Sequence, residues 1–131
     1  MHSPRIIPCL LLDGDRLVKT TRFVEPDYVG DPVNVLSIFS TFEVDEIILL
    51  DIGAARRREP TSPPLLAKLA EECFVPLAYG GGLRRLDDID RVFSIGYEKV
   101  VLNSVLADDP DLVTRAADVH GSQAIVASID V

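Results

Sequence analysis

The sequence predicts a parallel α/β arrangement, and three observations predict it. Five short apolar runs recur along 131 residues, helical segments separate them, and a triple glycine, Gly80 to Gly82, joins the third run to a helix start. Runs apolar on both faces are expected of parallel strands covered by helices, not of one-sided amphipathic strands. The order reads β-α-β-α-β-α-β-α-β, which right-handed crossovers lay side by side.

Each element has its own signal. The first strand is Ile6-Ile-Pro-Cys-Leu-Leu-Leu12. The connection from Asp13 to Gly30 that follows is the longest in the chain, a length expected of a lid or binding loop. Asp31 as N-cap and Pro32 in the first turn open a helix from Pro32 to Phe42. Ile47-Ile-Leu-Leu50 is the second strand; Ser62-Pro63 then opens a helix with Leu65, Leu66, Leu69 and Ala70 on one stripe. Val75-Pro-Leu-Ala-Tyr79 is the third strand, and Leu86 to Ile95 the third helix, ended by Gly96. Val100-Val-Leu102 is the fourth strand; Asp109-Pro110 opens a helix to His120 that stops at Gly121. Ala124-Ile-Val-Ala-Ser-Ile129 is the fifth strand. Phe42 to Leu50 echoes Ile95 to Asn103, charged residues preceding each strand, as a repeated unit would.

The bulk composition sets limits. Residues 1–131 suit one domain able to bury a core, with 47% hydrophobic residues. No apolar run approaches the roughly 20 residues of a membrane span, and Met1-His2-Ser3-Pro4 lacks signal-peptide character. Cys9 and Cys73 fit no metal spacing and read as buried thiols, so a cytoplasmic setting is expected. A net charge of −8 argues against general nucleic-acid binding. Yet of 13 Lys and Arg, eight follow strands: Arg16, Lys19, Arg22, Arg56, Arg57, Arg58, Arg84 and Arg85. A basic rim on an acidic body steers small anions to one face, though each arginine singly also fits a solvated loop.

Strand, glycines and helix start together suit an anion. Glycine permits positive φ and close approach, and unpaired N–H groups at a helix start favour phosphate. Three glycines alone equally fit a tight turn. Polar residues also recur at strand ends: Asp51, Asn103 and Asp130. Ligands of parallel sheets bind there, so Asp51 and Asp130 suit acid–base roles and Asn103-Ser104 a phosphate cradle. The plain alternative for each is a turn residue bonding its own backbone.

Taken in order, Arg5-Ile-Ile-Pro-Cys-Leu, Leu17-Val-Lys-Thr20, Gly30-Asp-Pro32, Leu49-Leu-Asp-Ile52, Tyr79-Gly-Gly-Gly82, Leu102-Asn-Ser104, Gly121-Ser-Gln-Ala124 and Ile129-Asp130 carry a resemblance. Nearly end to end, the chain resembles the cyclase-subunit family of imidazole glycerol phosphate synthase. That family is a (βα)8 barrel of roughly 250 residues. The resemblance implies (βα)4β, half of a TIM-type barrel with parallel strands and outer helices. It implies that Gly81, Gly82, Asn103 and Ser104 hold one substrate phosphate, and that Lys19 on the first loop and Asp51 face the substrate. Asp130 matches one of two catalytic aspartates. Arg5, Glu46 and Lys99 match three of four charged residues gating the opposite, N-terminal mouth, where ammonia enters from a partner glutaminase. A plain salt-bridge cluster is the other reading of those three.

Two departures qualify the match. The other catalytic aspartate falls at Leu11, and the second phosphate site belongs to the other barrel half. Leu11, Cys9-Leu-Leu-Leu12 and Val18-Lys-Thr-Thr21 look more like a paralogous branch linked to surface-sugar amidation. The expected function is therefore a half-barrel that binds a phosphorylated small molecule, or phosphate or sulfate, and is inactive alone. It would self-associate as a homo-oligomer and use no cofactor or metal. Two alternatives stand beside it: an active ammonia-dependent synthase subunit when assembled with a glutaminase, and a flavodoxin-like phosphate-binding module. Strand order decides the last, since flavodoxin-like sheets run 2-1-3-4-5.

Overall fold

A computed structural model describes residues 4–21 and 25–129. In chain order the elements are β1 (Cys9–Asp13), β2 (Arg16–Thr21), β3 (Glu25–Gly30), α1 (Pro32–Ser40), β4 (Ile47–Asp51), α2 (Ala54–Arg57), α3 (Pro63–Glu71), β5 (Leu77–Gly80), α4 (Leu86–Ile95), β6 (Lys99–Leu102), α5 (Val105–Asp108), α6 (Asp111–His120) and β7 (Ile125–Ala127). A short 3₁₀ turn, Ser122–Ala124, leads into β7.

One sheet runs β3-β2-β1-β4-β5-β6-β7. Its parallel part is β1, β4, β5, β6 and β7, each paired with the next parallel strand along the chain. Sequential order is that of a TIM-type barrel, and it overturns the flavodoxin-like alternative, which needs the first strand inserted between the second and third. The fold is (βα)4β with an antiparallel arm added at β1.

That arm is a second correction. The stretch from Asp13 to Gly30 is not an open loop: β1 turns at Gly14-Asp15 into β2, and β2 pairs antiparallel with β3. Leu17 and Val18 are buried, so the arm's root packs like a strand. Pro26 is compatible with β3 because β3 is an edge strand, where a missing N–H breaks no inner ladder.

Helix ends follow their sequence signals. Asp31 caps α1 by accepting from the Val33 amide at 3.3 Å, and Pro32 fills the first turn. Gly96 and Gly121 terminate α4 and α6 with positive φ. The core lies between one sheet face and these helices. Leu12, Ile47, Leu49, Leu77, Tyr79, Val100 and Leu102 meet Leu36, Leu66, Leu69, Ile89, Val92 and Leu112.

Alternation sends Cys9, Leu11, Ile48, Leu50, Val101 and Val126 to the other face. Cys9 is exposed there rather than buried, and Cys73 is half-buried; both are free thiols. The sequence gives Cys9 an apolar setting, but the core forms on the opposite side of β1. Among the described residues, no helix is long and apolar enough to cross a membrane.

Candidate functional site

The carboxyl ends of the parallel strands gather most of the residues singled out above. Asp51 ends β4, Gly80 ends β5, and Asn103-Ser104 follow β6. Gly80 pairs with Val101 at the end of the β5–β6 ladder, so Gly81-Gly82 and Asn103-Ser104 both follow the carboxyl ends of neighbouring strands. Asn103 and Ser104 are exposed. The β5 and β6 ends therefore present the two segments side by side.

The glycines have a structural reason of their own. Gly81 and Gly82 have φ of 133° and 70°. A Cβ on Gly81 would stand 2.7 Å from the Asp51 carbonyl oxygen, and one on Gly82 2.6 Å from the Glu59 carbonyl. No side chain fits against backbone at that distance. The turn is thus shaped by close approach to the loops after β4, which leaves its outer side at the strand ends.

Asp51 is not open to solvent. Its side chain has 0% exposure, and its carboxylate is met from three elements. Arg57 at the end of α2 donates through Nη2 to Oδ2 at 2.5 Å. Thr61 donates its hydroxyl to Oδ2 at 2.7 Å, and the Gly53 and Gly14 amides donate to Oδ1 at 3.0 and 3.3 Å. A buried carboxylate survives only with such partners. The hydrogen bond to Asp51 is the main cause holding Arg57 above the usual arginine range.

The network continues to the glycines. The Thr61 amide donates to the Tyr79 hydroxyl at 2.8 Å. Thr61 gives its own proton to Asp51, and the Tyr79 hydroxyl lies 3.2 Å from Thr61 Oγ1 and 2.9 Å from the Gly81 carbonyl. The shorter bond, to Gly81, is the better home for the one phenolic proton. Burial pushes the Tyr79 pKa up to about 12. Tyr79 therefore stays a neutral donor at neutral pH and holds the turn.

The basic rim is more neutralised than its arginine count implies. Arg56 lies 3.7 Å and Arg57 3.4 Å from Asp13, Arg84 3.3 Å from Asp108, and Arg85 3.8 Å from Asp88. Arg84 keeps its Nε buried with no hydrogen-bond partner among the described residues. Lys19 has its backbone in β2. Arg22 and Asp130 lie outside the described residues.

At the opposite, amino ends of the strands, Arg5, Glu46 and Lys99 do come together. Arg5 and Lys99 both reach Glu46 Oε2, at 3.4 and 3.3 Å, and the Glu46 side chain is 5% exposed. Glu46 and Lys99 occupy equivalent positions in the sequence echo, one just before β4 and one opening β6, so the repeat puts both at the same mouth. Among the described residues, no three His, Cys, Asp or Glu side chains converge as metal ligands would.

The histidine biosynthesis protein family matches residues 5–131. The chain belongs to that family. A Pseudomonas aeruginosa protein carrying the provisional name imidazole glycerol phosphate synthase subunit hisF2 is 51% identical over 130 residues, 99% of this chain and 52% of its own. The imidazole glycerol phosphate synthase subunit HisF of Exiguobacterium sp. is 41% identical over 131 residues, all of this chain and 51% of its own. A further relative with a provisional HisF name, from Leptospira borgpetersenii, is 42% identical over 99% of this chain and 51% of its own. The chain spans about half the length of the curated relatives it matches.

Within this family frame, sequence reading missed Thr61 and the tie from Tyr79 to Gly81. One signal was available: a tyrosine in an apolar strand needs a partner for its hydroxyl. The short helices α2 and α5, four residues each, were also missed, because a single turn is too short to show a helical period. Leu11 pairs with Val18 on one side and Leu50 on the other, so its position is surrounded by apolar strand residues.

Proposed function

We propose that this chain is the phosphate-holding half of an ammonia-using barrel of the imidazole glycerol phosphate synthase type, inactive by itself. The observation that carries the reading is the adjacency of Gly81-Gly82 and Asn103-Ser104 at the carboxyl ends of neighbouring strands. Backbone amides in such a turn suit an anion, and the unpartnered Arg84 Nε is a spare donor in the same loop. Lys19 is the substrate-facing lysine of this reading, and Asp51 serves through the groups it orients, since its own oxygens are already bonded.

Asp130 is the acid–base residue of this reading, and Leu11 stands where its counterpart aspartate is expected. One carboxylate without the other, and one phosphate site of two, support binding without turnover. The open apolar face supports association with a second half, here a second copy. The Arg5–Glu46–Lys99 cluster supports an ammonia-side mouth at which a glutaminase docks.

Titration of the purified chain with inorganic phosphate tests this directly. Saturable binding is expected, weakened about tenfold in Asn103→Ala for loss of one hydrogen bond to a charged group. Absence of saturation, or equal binding by Asn103→Ala, contradicts the site. Turnover of the cyclase substrate with ammonium ion, abolished by Asp130→Asn, would instead establish the synthase alternative.

A further inference from the structure

Arg57 stands between two carboxylates that end neighbouring parallel strands. Its Nη2 reaches Asp51 Oδ2 at 2.5 Å, and its Nη1 lies 3.4 Å from both Asp51 Oδ1 and Asp13 Oδ1. Asp13 closes β1 at the turn into the antiparallel arm, and Gly14 in that turn donates to Asp51 Oδ1. The other Asp51 oxygen takes the Thr61 hydroxyl, and Thr61 holds Tyr79, which holds the Gly81 carbonyl. The root of the arm and the glycine turn thus meet on one fully buried carboxylate, whose counter-charge is Arg57.

We propose that Arg57 is a positioning residue that fixes the Lys19-bearing arm and the Gly81-Gly82 turn relative to each other, ordering the carboxyl-end mouth as a unit. A planar guanidinium can face both Asp51 oxygens and still reach Asp13, which a lysine ammonium cannot do. Without it a buried carboxylate lacks compensation, and the loops bonded to it loosen together. A surface salt bridge is the competing account, and Arg56 separates the two. Arg56 is 79% exposed and, among the described residues, forms an ion pair with Asp13 alone, at 3.7 Å, so it removes the same charge when replaced but leaves Asp51 covered.

The test is amide hydrogen exchange on the ligand-free chain, comparing wild type with Arg57→Met, Arg57→Lys and Arg56→Met. In Arg57→Met, exchange is expected to quicken about tenfold in both the 9–18 and 77–84 segments, with 111–120 unchanged, as for loss of one coupled network. Arg57→Lys is expected to show about a threefold rise in the same two segments, and Arg56→Met the wild-type pattern. Acceleration in one segment alone, a uniform rise through the sheet, or an equal effect of Arg56→Met overturns the proposal. Should Arg57→Met not fold, Arg57→Lys decides by the same criteria. A second readout is inorganic phosphate affinity, expected about tenfold weaker in Arg57→Met than in Arg56→Met; equal weakening counts against the proposal. That readout rests on the phosphate site proposed above. A wild type that binds no phosphate would end that reading, while the exchange pattern would still decide the role of Arg57.

Discussion

Gly82 and Gly96 both have left-handed backbones, with φ of 70° and 128°, yet their surroundings differ. A Cβ at Gly82 would strike the Glu59 carbonyl, whereas at Gly96 nothing lies within 4 Å. Gly96→Ala should therefore cost backbone strain alone, about 1–2 kcal/mol, and Gly82→Ala strain plus displacement of a loop, about 2–4 kcal/mol. Urea denaturation of the two variants checks the ranking. Gly82 was legible as part of a turn after an apolar run, and Gly96 as a helix end. The reason for Gly82 was not, because Glu59 approaches it only through the tertiary fold. Tyr79 gives a second residue-scale prediction. Its folded pKa of about 12 exceeds the ordinary value of 10.0, so the fold favours the protonated phenol. That contribution is complete below about pH 10 and is lost as pH rises towards 12, because the unfolded chain ionises first. Tyr79→Phe should flatten this alkaline loss, leaving the similarly raised Tyr97 to account for the rest. The same variant should cost about 1–3 kcal/mol at neutral pH by leaving the Thr61 amide unpaired.

Elements with local signals were readable, and those made by long-range pairing were not. Asp31, Pro32, Gly96 and Gly121 announce their helix ends within a few residues, and the structure keeps all four. Asp31→Ala should cost about 0.5–2 kcal/mol, read as a lower thermal midpoint, because the Val33 amide loses its acceptor. The β2–β3 arm gives no such signal. Pro26, Gly30 and the charged residues of Asp13–Arg16 break the apolar pattern, and β3 exists only because β2 is there to pair with it. The first strand begins at Cys9 instead of Ile6 because Pro8 has no N–H for a ladder. The preceding residues still bond across to the next strand's entry, Asp45 to Ile6 and Ile48 to Pro8. The Arg5–Glu46–Lys99 cluster was legible through the family resemblance. The Asp51 hub was legible as one carboxylate at a strand end, and its ring of donors was not.

At the scale of the whole molecule, the sheet has one face packed on helices and one that carries Leu11, Ile48, Leu50, Val101 and Val126, which stand outside the core cluster of the described residues. Val126 on that face is 38% exposed. Both β3 and β7 are edge strands with unpaired backbone groups. Apolar area and open edges on one body favour pairing with a matching surface. The net charge of −8 limits indiscriminate aggregation, which leaves closed assembly as the favoured outcome. In the proposed function a second copy covers this face. Light scattering after gel filtration, over a wide range of concentration, measures that directly. A dimer or larger even assembly of the 14.3 kDa chain that persists on dilution is expected. A well-folded monomer at every concentration would contradict it.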